Sequence, residues 1–208
     1  MALKTFVKIS SVNNLSDARY CAGMQVNLMG FSLEENNKNY TSPEKFKEIT
    51  AWLSGLEFVG EFEHTHPERI LTVLKDYPEI HHIQIQEEIH LKMLVNTSLG
   101  LILKKQINSA EDLGEIVKKA TSYKNNGVTL LLVSDNLVID SGIKNMIKDL
   151  AESCQVLLGF GLSADKVLDL VETTGVKGIE MEGGEEIKPG LKDFDELAEI
   201  LEALEVED

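Results

Sequence analysis

Extended apolar runs alternate with helix-like segments from one end of this chain to the other, and that alternation limits the fold more than any other feature. The extended candidates are Phe6–Ser10, Val26–Ser32, Phe58–Phe62, Ile80–Ile85, Leu99–Lys104, Val128–Ser134, Gln155–Phe160 and Gly178–Met181. Strands separated by helices pair in parallel through right-handed crossovers. Closing such a sheet on itself removes both edges, which makes a barrel the natural outcome for eight units. The prediction is an α/β fold, a single (β/α)8 TIM barrel with one domain over residues 1–208. A doubly wound open sheet is the alternative. That fold normally opens on a glycine-rich first turn, whereas the turn here is Ser10-Ser11-Val12-Asn13-Asn14.

Helix starts are marked by residues that satisfy the first unbonded amides. Ser42-Pro43-Glu44 offers a capping hydroxyl followed by proline where its missing N–H costs nothing, and His66-Pro67-Glu68 repeats the arrangement. Ser109 with Asp112, Ser163 near Lys166, and Asp193 with Glu196 are further expected caps. In the last helix Phe194, Leu197, Ile200, Leu201 and Leu204 share one stripe. Gly175 is the expected stop of the helix that follows Ser163. Glu87–Asn96 carries the weakest helical pattern. Trp52 is expected to pack in the core or between helices.

Charge and composition narrow the function classes. With 20 basic and 35 acidic side chains the net charge is -15, which repels phosphate backbones and anionic lipid, so no nucleic-acid or membrane partner is expected. No run approaches the roughly 18 apolar residues of a membrane span. The start MALKTFVKISS reads as a first strand and not as a secretory signal, so a cytoplasmic location is expected. Cys21 and Cys154 form no CxxC and no metal spacing, and are expected as buried small side chains. The five histidines match no metal motif either, so neither a metal nor a cofactor is expected.

A barrel of this kind binds its ligands at the C-terminal ends of the strands, often with phosphate on the loops after strands seven and eight. Those loops are Gly159-Phe160-Gly161-Leu162-Ser163 and Glu182-Gly183-Gly184-Glu185. The expected phosphate-binding residues are Gly161, Ser163, Gly183 and Gly184, because glycine lets backbone amides approach an anion.

The opening VKISSVNNLSDARYCAGMQVNLMGF, the segment NYTSPEKFKEI, the turn GFGLSADKV and the ending PGLKDFDEL are similar to phosphoribosylanthranilate isomerase. The likeness is strongest at the two ends and thin from about Glu87 to Ser153. It implies the barrel, a small phosphorylated metabolite as partner, a link to tryptophan biosynthesis, and a monomer or homodimer. The family opens the ribose ring of an aminoaldose phosphate and rearranges it to the ketose with a cysteine base and an aspartate acid. Its VKICG start places Ser10 at the cysteine, and a hydroxyl lacks the thiol's accessible pKa. Its LLLDS places Val133 at the aspartate, and valine carries no proton to give. Asp135, two positions on, shares the strand face by parity and is a substitute candidate.

The resemblance also places altered binding groups. Asn39 stands where the family arginine meets the anthranilate carboxylate. Gln84-Ile85-Gln86-Glu87-Glu88 replaces QLHGDE, with Gln86 as a pocket candidate, and Asn136–Gly142 replaces a GGTG segment. Glu180-Met181-Glu182-Gly183-Gly184 replaces DVSSG, so Glu180 and Glu182 are pocket candidates and Glu182 brings a carboxylate to the phosphate loop. Acids expected at the mouth are Glu61, Glu63, Glu87, Glu88, Asp135, Glu182, Glu185 and Glu186. Two unit charges at about 4 Å repel by roughly 1–4 kcal/mol across effective dielectrics of about 80 to 20, enough to cost around tenfold in affinity. The expected function is a barrel without the normal isomerase activity, non-catalytic or repurposed. The alternatives are an active isomerase, of tryptophan biosynthesis or of another sugar phosphate, and a cation-binding mouth.

Overall fold

The structure, a computed structural model, describes residues 2–183, 186–188, 191–192 and 195–206. Its strands are β1 (Phe6–Ser10), β2 (Leu28–Ser32), β3 (Glu57–Glu61), β4 (Ile80–Ile85), β5 (Gly100–Gln106), β6 (Val128–Val133), β7 (Val156–Leu158) and β8 (Gly178–Glu182). They close in that order into one parallel barrel. Between them run α1 (Leu15–Gly23), α2 (Pro43–Thr50), α3 (Pro67–Val73), α4 (Leu91–Leu94), α5 (Ala110–Lys118), α6 (Ala120–Asn125), α7 (Ser141–Ser153) and α8 (Val167–Thr174). Two short antiparallel strands, β9 (Glu186–Lys188) and β10 (Leu191–Lys192), and then α9 (Asp195–Ala203) complete the chain. The expected strands all form, with ends moved by at most two residues. The weak segment from Glu87 yields only a 3-10 turn, Glu88–His90, and the single turn α4.

Alternation along each strand sorts the apolar residues into two bodies. Outward residues such as Val7, Ile9, Met29, Phe31, Ile83, Leu103 and Leu130 pack under the helices in one continuous core. Inward residues Leu28, Val59, Ile102, Leu131 and Leu157 form a separate plate across the bore, with Phe6 and Val133 against it. Aromatic edges reinforce the outer core, where Phe46 of α2 meets Phe31, Phe58 and Tyr77 at centroid distances of 5.0, 5.6 and 5.4 Å.

The barrel closes where β1 and β8 pair over five residues, from Phe6↔Gly178 to Ser10↔Glu182. A side chain at Gly178 would run into the Phe6 carbonyl oxygen, so only glycine fits that seam.

Several caps form as expected. Ser42 accepts from the Lys45 amide, His66 from the Glu68 amide, and Ser109 with Asp112 makes a reciprocal box. Gly175 ends α8 in the left-handed conformation at φ 66°. Ser163 departs from expectation: α8 begins only at Val167, and the Ser163 hydroxyl donates to Asp165 Oδ1 at 2.6 Å. Trp52 is likewise corrected, being 76% exposed, because α2 stops at Thr50 and the indole falls in the turn beyond the buried face. The expected cap at Asp193 and the stripe position Phe194 lie outside the described residues. Cys21 and Cys154 are buried. Among the described residues no helix is long and apolar enough to cross a membrane.

Candidate functional site

Ionisable residues interrupt three otherwise apolar strands, and parity turns Lys8, Glu61 and Glu180 inward above the aliphatic plate. On β1, Lys8 and Ser10 lie two apart and share the inner face. The Lys8 ammonium, fully buried, reaches across the bore to Glu61 Oε1 at 2.6 Å. The other Glu61 oxygen accepts from the Ser11 amide at 3.0 Å, which ties the left-handed Ser11 (φ 57°) to β3. Space for this pair comes from Gly30, since a Cβ there would overlap the Glu61 carboxylate and stand 3.1 Å from Lys8 Nζ.

Lys8 also donates to Ser10 Oγ, and Ser10 Oγ donates to Glu180 Oε1 of β8. The second Glu180 oxygen is lodged over Gly159, 2.7 Å from where a Cβ would stand, and Val133 Cγ1 is 3.0 Å from the same point. Glu180 thus lies in the wedge between Ser10 and Val133. Four side chains from three strands, Glu61, Lys8, Ser10 and Glu180, form one buried polar chain.

Its electrostatics follow from charge count. Lys8 and Glu61 cancel, so a negative Glu180 would be a third buried charge without a counter-ion of its own. Burial pushes the Glu180 carboxyl above its ordinary value of 4.5, against the pull of Lys8 and of the Ser10 bond. A carboxyl so placed can hold or release a proton under conditions where exposed acids are ionised. Gln84, opposite Glu61 in the β3–β4 register and therefore also inward, is 5% exposed. Among the described residues its Oε1 has no hydrogen-bond partner.

The other expected site residues are distributed unevenly. Asn39 approaches the first loop, accepting from Asn13 Nδ2 at 3.1 Å. Gln86, just past β4, is half-buried. Asp135 lies beyond the end of β6, exposed, and accepts from Gln106 Nε2 at 3.2 Å, so it does not share the Val133 position. The Gly183 amide donates to the Ser10 carbonyl at 2.9 Å and extends the β1–β8 ladder, which takes it away from any anion. Gly161, in the left-handed region at φ 67°, lies under Ile139, whose Cδ1 is 2.7 Å from a Cβ position there. Ser163 faces Asp165. Gly184 and Glu185 lie outside the described residues.

Two of the expected rim acids, Glu182 and Glu88, have lysine partners. Glu182 is exposed with Lys104 Nζ at 3.9 Å, and Glu88 is bridged to Lys105 at 2.6 Å and to Lys119 at 3.0 Å. Burial alone would raise the Glu88 carboxyl, but these two lysines hold it below the usual range. Glu61 is a buried ion-pair partner and not a rim acid. Among the described residues no group of three or more His, Cys, Asp or Glu side chains is arranged to hold a metal ion.

Sequence reasoning passed over Lys8 and Gln84. The available signal was polarity at inward positions of apolar runs: the lysine of FVKIS facing the acids of EFVGE and GIEME, and the glutamine of IHHIQI.

Comparison with known proteins agrees with this barrel. The family model described as N-(5'phosphoribosyl)anthranilate (PRA) isomerase matches residues 7–203. The chain is 26% identical over 204 residues to N-(5'-phosphoribosyl)anthranilate isomerase of Thermotoga petrophila, covering 92% of this chain and 94% of the relative. It is 26% identical over 195 residues to that of Rubrobacter xylanophilus, covering 89% and 92%. Among solved structures, phosphoribosyl anthranilate isomerase of Thermotoga maritima superposes with TM-score 0.77 at 22% identity, over 96% of this chain and 98% of the other.

Proposed function

Because the chain belongs to the N-(5'-phosphoribosyl)anthranilate isomerase family, we propose that it is a redirected member: a barrel that does not run that isomerisation by the thiol and carboxylate of its relatives, and whose mouth receives a different small molecule. One observation carries the reading. The hydroxyl of Ser10, at the position the resemblance assigns to the thiol, is buried and held between Lys8 and Glu180, while Val133 presents only methyl groups at the position of the acid. A neutral hydroxyl so held cannot supply a thiolate's basicity.

The anion-binding side points the same way. The Gly183 amide is used within the barrel ladder, and Ser163 is bonded to an aspartate. A small metabolite remains the fitting partner class, with phosphate recognition reduced. The lysines beside Glu88 and Glu182 disfavour the cation reading. A net charge of -15 disfavours nucleic acid. A second reading, that isomerisation survives, is favoured by the family match over nearly the whole chain.

One experiment separates the two. The purified full chain is assayed with phosphoribosylanthranilate and introduced into an isomerase-deficient tryptophan auxotroph. The expected result is neither turnover above background nor growth. Robust turnover that falls on Ser10→Ala would overturn the proposal.

A further inference from the structure

We propose that Glu180 is the proton-transfer group of this barrel, acting at the mouth on a small hydroxylated carbonyl compound that carries an acidic C–H. The inference rests on the reading of the mouth as redirected, and it gives a proton-transfer role to a residue that the resemblance marks only as a pocket candidate.

Position comes first. Glu180 is 3% exposed and lies on the C-terminal side of the aliphatic plate, the end of the strands at which a barrel of this kind binds its ligands. One oxygen is held by Ser10 and the other rests over Gly159 beside Val133. A single carboxyl therefore occupies the wedge between the positions of the two lost groups. An alanine at position 159 would close that wedge, and glycine keeps it open.

Protonation is matched to position. The carboxyl is raised by burial, so it exchanges a proton nearer neutrality than an exposed acid does, which is the condition for efficient general acid–base work. Lys8 supplies a fixed positive charge that reaches the site through the Ser10 hydroxyl, and Glu61 keeps that charge in place. Ser10 is here a positioning residue.

The surroundings define the ligand. Gln84 Oε1 is a buried acceptor to which none of the described residues donates, and it faces the same interior from the strand beside Glu61. Leaving such a group unpaired carries its full desolvation cost, so a ligand hydroxyl that donates to it is favoured. A carbonyl oxygen gaining negative charge is favoured by the positive end of the Lys8–Ser10 pair. An acidic C–H next to that carbonyl is what Glu180 can take.

In the step, ionised Glu180 removes the proton from the carbon, and the C–H electron pair forms a carbon–carbon double bond. The carbonyl π pair moves onto oxygen as an enolate. The carboxyl proton then exchanges with solvent before Glu180 returns a proton to the same carbon and the compound is restored, so in heavy water the carbon acquires deuterium with no oxidant or co-reactant consumed.

Full-length protein is incubated in deuterium oxide with dihydroxyacetone phosphate and, in a parallel arm, with dihydroxyacetone, and loss of the methylene proton signal is followed by NMR. Wild type is expected to accelerate exchange at least tenfold over buffer in one or both arms, and the arms report whether phosphate contributes. Glu180→Gln should abolish the acceleration. Ser10→Ala should weaken it and displace the acidic limb of its pH profile, a change that a merely structural role would not produce. Circular dichroism and thermal unfolding verify that Glu180→Gln is folded, and the wild-type limb should lie above the exposed-carboxylate range whatever the variant does. Absence of acceleration in both arms, acceleration retained by Glu180→Gln, or a limb at the ordinary carboxylate value would each overturn the proposal. Turnover of phosphoribosylanthranilate dependent on Ser10 would instead count against the redirected reading, so the two failures are distinguishable.

Discussion

At the scale of single residues, the central fact is a carboxyl that resists ionisation because it is buried, against the pull of Lys8 and of the Ser10 hydrogen bond. Its consequence for stability has a definite sign. Glu180 is raised in the folded state, so between the ordinary carboxylate value of 4.5 and its raised value the native protein binds more protons than the unfolded chain. Stability contributed by this group is present below that window and is lost as pH rises through it. Glu180→Gln has no such proton to lose. Relative to wild type the variant should gain stability as pH rises above about 4.5, by at most about 1.4 kcal/mol per pH unit for one group, and then level off. Urea unfolding at a series of pH values checks this; a difference that is flat, or that shrinks with rising pH, would contradict it. The same residues show where sequence reading stops. Ser10 and Val133 stood out against a family motif, and parity places Lys8 and Glu61 inward. That Lys8 crosses to β3, while Ser10 reaches β8, depends on barrel stagger and on the space above Gly30, neither of which a linear pattern encodes.

Elements were the most legible level, because period and capping chemistry are local. All eight barrel strands could be read from apolar runs, and Ser42, His66, Ser109 and Gly175 mark helix ends as the chain itself suggests. Ser163 looks equivalent to Ser109 on paper. Its neighbour Asp165 competes for the hydroxyl, and α8 starts four residues later. The two serines should therefore respond differently to the same substitution. Ser109→Ala is expected to cost about 1 kcal/mol through loss of the capping box. Ser163→Ala should change stability by less than about 0.5 kcal/mol. Equal losses in chemical denaturation would show that Ser163 caps after all. Trp52 was misread for a related reason: a pattern shows which face of a helix is apolar more reliably than the residue at which the helix ends.

Over the whole molecule, the barrel was legible from alternation and the family from its ends, whereas the loops that decide ligand choice were not. Gly183 illustrates the gap. As a sequence it reads as an anion-binding glycine, yet the closing seam between β1 and β8 claims its amide. Net charge is a global property too, and at -15 the folded chain repels itself. Sodium chloride shortens the reach of that repulsion to roughly 10 Å at 0.1 M. The urea midpoint should therefore rise with salt from low ionic strength upward. A fall would mean that the surface lysine–carboxylate pairs outweigh the excess of like charge.

The plate of Leu28, Val59, Ile102, Leu131 and Leu157 has a consequence of another kind. It works as an insulating bulkhead, with Glu57 and His82 paired at 2.6 Å on the opposite side from Glu180. Among the described residues the plate itself is hydrocarbon, so a proton passing between the two polar ends of the bore must go by way of solvent and not through the barrel interior. Titration of the Glu57–His82 pair should therefore leave the Glu180 end undisturbed.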